Sequence, residues 1–185
     1  MEETKDCIIP FRKYADGVHK FDFKIGDSFF QGIENTLIPK GCLQVEVQMT
    51  KSQQMLKFHF VMNGTITVPC DVCLADMDYP IEDCEGDMVV KFGPTTEEIS
   101  EELFQIADNE DEISVSQWIY EILAVSLPIK FVHPEDENGN PTCDPEMLSR
   151  LSEYLVSDEP TENEHSESET DPRWDALKNL LKENN

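Results

Sequence analysis

The sequence predicts an α+β protein: an antiparallel β-rich body, a partly open barrel or curved sheet, with a central buried helix and C-terminal helices. Three observations predict it. Apolar and polar residues alternate at period two through the first half, the period changes to that of a helix after residue 113, and turn-forming Asn, Gly and Pro separate the runs. A chain of 185 residues is enough for one core and rarely divides into two.

Phe21, Phe23 and Ile25 form the first alternation. Asp27 is placed to cap a short helix through Phe29, Phe30 and Ile33, although Gly32 weakens it. Leu43, Val45, Val47 and Met49 form the second alternation, Phe58, Phe60 and Met62 the third, and Ile66 and Val68 the fourth. Ser52 to Gln54 supplies the turn between the second and third. Asn63-Gly64 reads as a type I′ hairpin turn between the third and fourth, because both residues tolerate positive φ. Met88, Val90 and Phe92 make a further strand, closed by Gly93-Pro94. Glu97 to Glu102 and Asp108 to Glu112 flank Leu103, Phe104 and Ile106, and this acidic stretch reads as a mobile loop with one short helix.

In the second half Ser114 and Gln117 fit a capping box, followed by Val115, Trp118, Ile119, Ile122, Leu123 and Val125 until Pro128 stops the run. This helix is apolar on most sides and is the candidate central helix, with Trp118 in the core. Asp144 as cap and Pro145 at the first turn open a second helix, with Met147, Leu148, Leu151, Tyr154 and Leu155 on one face. Asp171 and Pro172 open a third, with Trp174, Leu177, Leu180 and Leu181. The expected organisation is a single β-rich α+β domain over 1–156, an acidic flexible tether over 157–171 and an amphipathic helix over 172–185.

Charge is segregated. The chain has 39 acidic and 14 basic side chains, a net charge of −25. Residues 1–60 hold eight of each, so the whole excess lies in 61–185. Nucleic-acid affinity comes largely from Lys and Arg displacing counterions from phosphates, so a conventional RNA-binding surface is disfavoured, as is an anionic membrane. Lys5, Arg12, Lys13, Lys20 and Lys24 cluster with Phe11 and Tyr14, but acids share that half and it reads as a solvated face. The charge favours a basic protein partner. No apolar run reaches the roughly 18 residues of a membrane helix, and the N-terminus is too polar for a secretory signal, so a cytoplasmic protein is expected.

The six cysteines, at 7, 42, 70, 73, 84 and 143, are then expected as thiols or ligands rather than disulfides. Cys70 and Cys73 form the one Cys-x-x-Cys pair. Two cysteines three apart in a tight turn reach one tetrahedral zinc, which needs two further N or S ligands. His133 and Cys143, bracketing a turn-rich loop, are the candidates, with Cys84 as a substitute. A thioredoxin-like use is disfavoured, since Pro69 and Pro80 deny the pair a helix N-terminus. Phosphate-loop, His-Glu-x-x-His and nucleophile-elbow motifs are missing, and no enzyme is indicated.

A β-rich half leads into Cys70-Asp71-Val72-Cys73-Leu74. An acidic segment then precedes an apolar helix ending Leu127-Pro128, a loop with His133 and Cys143 follows, and Asp171-Pro172-Arg173-Trp174 stands near the end. This order resembles the YceD family, the large ribosomal RNA subunit accumulation proteins, from about Cys70 to Leu181. The resemblance implies a non-catalytic role in the synthesis, processing or stability of large-subunit ribosomal RNA. The acidic charge makes a basic ribosomal or assembly protein the expected partner and RNA contact indirect. Trp174, Leu177, Leu181 and Arg173 are the candidate partner-binding residues, as an anchored helix on a tether. The alternatives are a zinc-binding or thiol-redox protein using Cys70 and Cys73, and a generic acidic protein that sequesters basic partners.

Overall fold

The computed structural model describes residues 6–34, 36–100, 103–139 and 142–154. Strands β1 (Ile8–Ile9), β2 (Gly17–Ile25), β3 (Lys40–Lys51), β4 (Met55–Pro69), β5 (Asp76–Gly93), β6 (Glu97–Ser100), β7 (Leu103–Ala107) and β8 (Ile113–Ser114) are joined by helices α1 (Asp27–Phe30), α2 (Ser116–Ser126) and α3 (Pro145–Tyr154). Six strands form one open mixed sheet in the order β2-β3-β4-β5-β7-β6, and β1 pairs with β8. The sheet belongs to the first of two compact units, Met1–Ser149 and Arg150–Asn185. The expected tether and C-terminal helix, with Arg173, Trp174, Leu177 and Leu181, lie outside the described residues.

The period-two residues make the sheet one-sided. Leu43, Val45, Val47 and Met49 of β3 and Leu56, Phe58, Phe60 and Met62 of β4 are buried, while the alternate positions of β3 face out. Complete burial of one such Phe or Leu removes roughly 1.5–3 kcal/mol of unfavourable hydration. The predicted turn over Ser52 to Gln54 is present, closed by a hydrogen bond from Ser52 N to Met55 O of 2.9 Å.

Asn63-Gly64 is not a hairpin turn. β4 runs straight through it, with Gly64 opposite Leu43 on one side and Ile81 on the other, and the register to β5 shifts between Met62 and Gly64. The pair lies opposite a β-bulge of β5: between the Met62–Cys84 and Gly64–Ile81 partners β4 has one residue, Asn63, and β5 has two, Glu82 and Asp83. Gly64 has φ +153, and a Cβ there would lie 2.2 Å from the Cys42 carbonyl oxygen. Asn63 Oδ1 accepts a hydrogen bond from Asp83 N at 2.8 Å, holding the bulge.

Within the acidic stretch after residue 96, Glu97–Ser100 and Leu103–Ala107 are strands rather than parts of a loop with a helix. β7 lies parallel to β5, from Val89 opposite Leu103 to Gly93 opposite Ala107, and β6 pairs antiparallel with β7 at the sheet edge. Ile106 and Ala107 are buried against the sheet, and in five residues that burial outweighs any helical preference. β5 also starts twelve residues before Met88, and it accommodates Pro80 where β4 is its only described partner strand.

Two expected caps are absent. Asp27 is the first residue of α1, and its Oδ1 accepts instead from Gly41 N at 3.0 Å, tying the helix to the start of β3. Ser114 is taken into β8, so α2 begins at Ser116, whose Oγ accepts from Cys7 N at 2.9 Å. α2 buries Trp118, Ile119 and Leu123 and leaves Val125 outward. The Trp118 ring packs 5.8 Å from Phe58 and 5.4 Å from Phe104. The Asp144 cap is present: its Oδ1 accepts from Glu146 N at 2.8 Å and Met147 N at 3.2 Å. Among the described residues no helix is long and apolar enough to cross a membrane.

Much of the basic N-terminal cluster is used structurally. Phe11 is fully buried. Arg12 donates to the carbonyls of Asp108 and Glu110, and Lys20 pairs with Glu46 at 2.7 Å.

Candidate metal centre

β4 and β5 form the longest hairpin of the sheet, and Cys70 to Ala75 are its tip. Pro69 pairs with Asp76, and Cys70 N donates to Ala75 O at 2.9 Å. Leu74 N donates to Cys70 O at 2.9 Å, and Leu74 adopts φ +61. That tight turn folds both cysteine side chains to the same side, as a metal knuckle requires.

After α2 the chain returns to this tip. Asp71 N donates to Phe131 O at 2.8 Å, and Phe131 N donates to Asp71 Oδ2 at 2.6 Å. The Phe131 ring meets Tyr79 of β5 edge-on at 5.2 Å. These contacts deliver His133, two residues on, to the knuckle. Cys143, just before the Asp144 cap of α3, completes the group.

The ligand atoms of Cys70, Cys73, His133 and Cys143 all lie within 4.8 Å of one another. Cys70 Sγ is 3.8 Å from Cys143 Sγ, Cys73 Sγ is 3.5 Å from His133 Nδ1, and Cys143 Sγ is 3.8 Å from the same nitrogen. The three cysteines are buried. A sulfur separation of 3.8 Å is far beyond the roughly 2.05 Å of a disulfide. The cluster is able to hold a metal ion.

Its electrostatics are asymmetric. Burial acts to raise the Cys70 thiol, but N–H groups of Cys73, Val72 and His133 directed at its sulfur outweigh this and bring it down to about 6. Val72 N, for example, donates to Cys70 Sγ at 3.4 Å. Cys143 moves the other way: burial first, then the neighbouring sulfurs of Cys70 and Cys73, push it up to about 11. A cation bound among these sulfurs would favour their deprotonated form and offset the charge it brings together.

Cys84, the substitute candidate, is not in the group; its Sγ donates to Ser126 Oγ at 3.2 Å on α2. Asp71 was not singled out from the sequence, yet it latches the His133 segment to the hairpin. Its place between the two cysteines was the available signal.

Together these features define an α+β protein with a mixed, open sheet that carries a three-cysteine, one-histidine cluster at a hairpin tip. The chain belongs to the YceD family: the family model described as Large ribosomal RNA subunit accumulation protein YceD matches residues 58–181, a range that includes all four cluster residues. The chain is also similar to the uncharacterized protein YlbN of Bacillus subtilis (strain 168), with 26% identity over 134 residues, covering 72% of this chain and 70% of the relative. No solved structure matches it.

Proposed function

We propose that this protein supports the synthesis, processing or stability of large-subunit ribosomal RNA without catalysis, by binding a basic ribosomal or ribosome-assembly protein, and that Cys70, Cys73, His133 and Cys143 hold a structural zinc ion. The family match over residues 58–181 carries the ribosomal part. The charge of −25 favours a protein route over direct phosphate contact, with attraction screened beyond about 8 Å at physiological salt.

Zinc fits the donor set. Zn–S bonds of about 2.3 Å and Zn–N bonds of about 2.0 Å place tetrahedral ligand atoms roughly 3.5–3.8 Å apart. The Cys70–Cys143 sulfur separation of 3.8 Å and the Cys73 Sγ–His133 Nδ1 separation of 3.5 Å match those edges, and all four ligand atoms lie within 4.8 Å of one another. Four protein ligands leave no open position for a substrate, which favours a structural over a catalytic ion. Cys70 at a hairpin tip, rather than a helix N-terminus, likewise favours ligation over thiol exchange.

The test is a deletion strain. Large-subunit ribosomal RNA is expected to fall relative to small-subunit RNA, and the protein to co-sediment with large-subunit precursors; an unchanged ratio overturns the ribosomal reading. Metal analysis of the purified chain is expected to find one zinc, lost in Cys70→Ser.

A further inference from the structure

We infer that the groove between β5 and α2 docks a basic, apolar-anchored segment of a partner protein. This deepens, and rests on, the reading of the chain as a binder of a basic protein.

β7 covers the second side of β5 only from Val89 to Gly93. Just ahead of it α2 lies close over the strand: a Cβ on Gly86 would come within 2.7 Å of the Ile122 side chain. Beside this close approach runs a groove of about 620 Å³ lined by both elements. Its apolar part is Met88, Trp118, Ile122 and Val125. Val125 is 86% exposed, an outward valine on a helix that buries Trp118, Ile119 and Leu123.

The polar part has one sign. Glu85 and Asp87 of β5, Glu98 of β6 and Glu121 of α2 line the groove, and among the described residues no Lys or Arg does. His59 Nδ1 lies 2.9 Å from Asp87 and Gln117 donates to Glu121 at 2.7 Å. Each such bond uses one of about four acceptor sites on a carboxylate, leaving room for further donors. The complement is an apolar side chain in the groove with Lys or Arg on either flank. Nucleic acid is repelled by the same carboxylates, and a bare cation gains nothing from the apolar wall.

The test uses the full chain and a short fluorescent peptide with two leucines one helical turn apart, flanked by lysines, read by anisotropy at physiological salt. Replacing the leucines with serine or the lysines with glutamate is expected to abolish binding. Glu85→Gln, Glu98→Gln and Glu121→Gln combined are expected to weaken binding by about tenfold, and Val125→Ser by about fivefold, with unchanged melting. The charge-matched set Glu112→Gln, Glu135→Gln and Glu137→Gln is expected to change it by less than about twofold. Equal losses in the two charge sets, or equal binding of the serine peptide, overturn the inference. Tighter peptide binding in Trp174→Ser assigns the groove to the chain's own C-terminal segment and also overturns it. Complementation separates the two readings. If deletion lowers large-subunit RNA and the groove variant restores it fully, the groove assignment fails alone; if deletion has no effect, the ribosomal reading fails while the peptide result stands.

Discussion

Cys42 is exposed, whereas Cys7 is sealed between β1 and α2. Burial, more than the nearby Asp6, pushes the Cys7 thiol up to about 11 from 9.0 against a lowering bond to Ser116. The folded protein therefore keeps a proton that the unfolded chain loses. The associated stability is full below pH 9 and falls as pH rises through 11. Under native conditions near neutral pH a thiol reagent is expected to label Cys42 and spare Cys7, as read by peptide mapping. Equal rates would contradict the burial. Asp71 offers a second test at this scale. It touches no ion, but it positions the His133 segment, so Asp71→Ala is expected to lower metal affinity by about 10–100-fold in chelator competition. An unchanged affinity would mean that the loop holds its place without the latch.

Strand β4 shows how pairing on both sides overrides local turn chemistry. Gly64 is squeezed by backbone, with Cys42 O at 2.2 Å and Leu43 Cα at 2.9 Å from a Cβ placed there. Backbone atoms within a sheet have little room to yield, and the φ is strained for any L side chain. Gly64→Ala is expected to cost about 3 kcal/mol or more in urea denaturation. Gly17 supplies the control: its φ is +140, but nothing lies within 4 Å. Gly17→Ala is therefore expected to cost only about 1 kcal/mol, from strain alone. Similar costs at the two sites would remove the crowding account of Gly64.

For the whole molecule, the cluster of Cys70, Cys73, His133 and Cys143 joins the tip of the β4–β5 hairpin to the segments before and after the turn-rich loop. Those segments lie 60 and 70 or more residues away along the chain, so their closure is entropically costly without a crosslink. A chelator is expected to lower the melting temperature by about 5 °C or more, since 1 kcal/mol corresponds to about 2–4 °C at this size. Cys70→Ser should melt at the chelated temperature and show no further response. A melt indifferent to both would remove the structural role of the ion.

The first half announces its strands locally. Leu43 to Met49 and Phe58 to Met62 alternate because one side of the sheet is buried, and alternation is visible without knowing the partners. The early part of β5 was not legible, because Asp76 to Asp87 contain six acids in twelve residues and the pairing with β4 overrides that composition. Leu103 to Ala107 likewise became strand only through β5. Asn63-Gly64 has the chemistry of a turn, but the neighbours on both sides held it in the strand, and the bulge fell on Glu82 and Asp83 opposite. At the site, the Cys-x-x-Cys half was legible, since its two members are close in sequence, and His133 and Cys143 were two among several candidates. Asp71 and the return of Phe131 chose them over Cys84. The sequence alone determined periodicity, charge distribution and the presence of thiols, because these belong to neighbouring residues. Tertiary structure alone decided strand partners, the bulge and the membership of the cluster, because burial and hydrogen bonding between distant segments outweigh local preference.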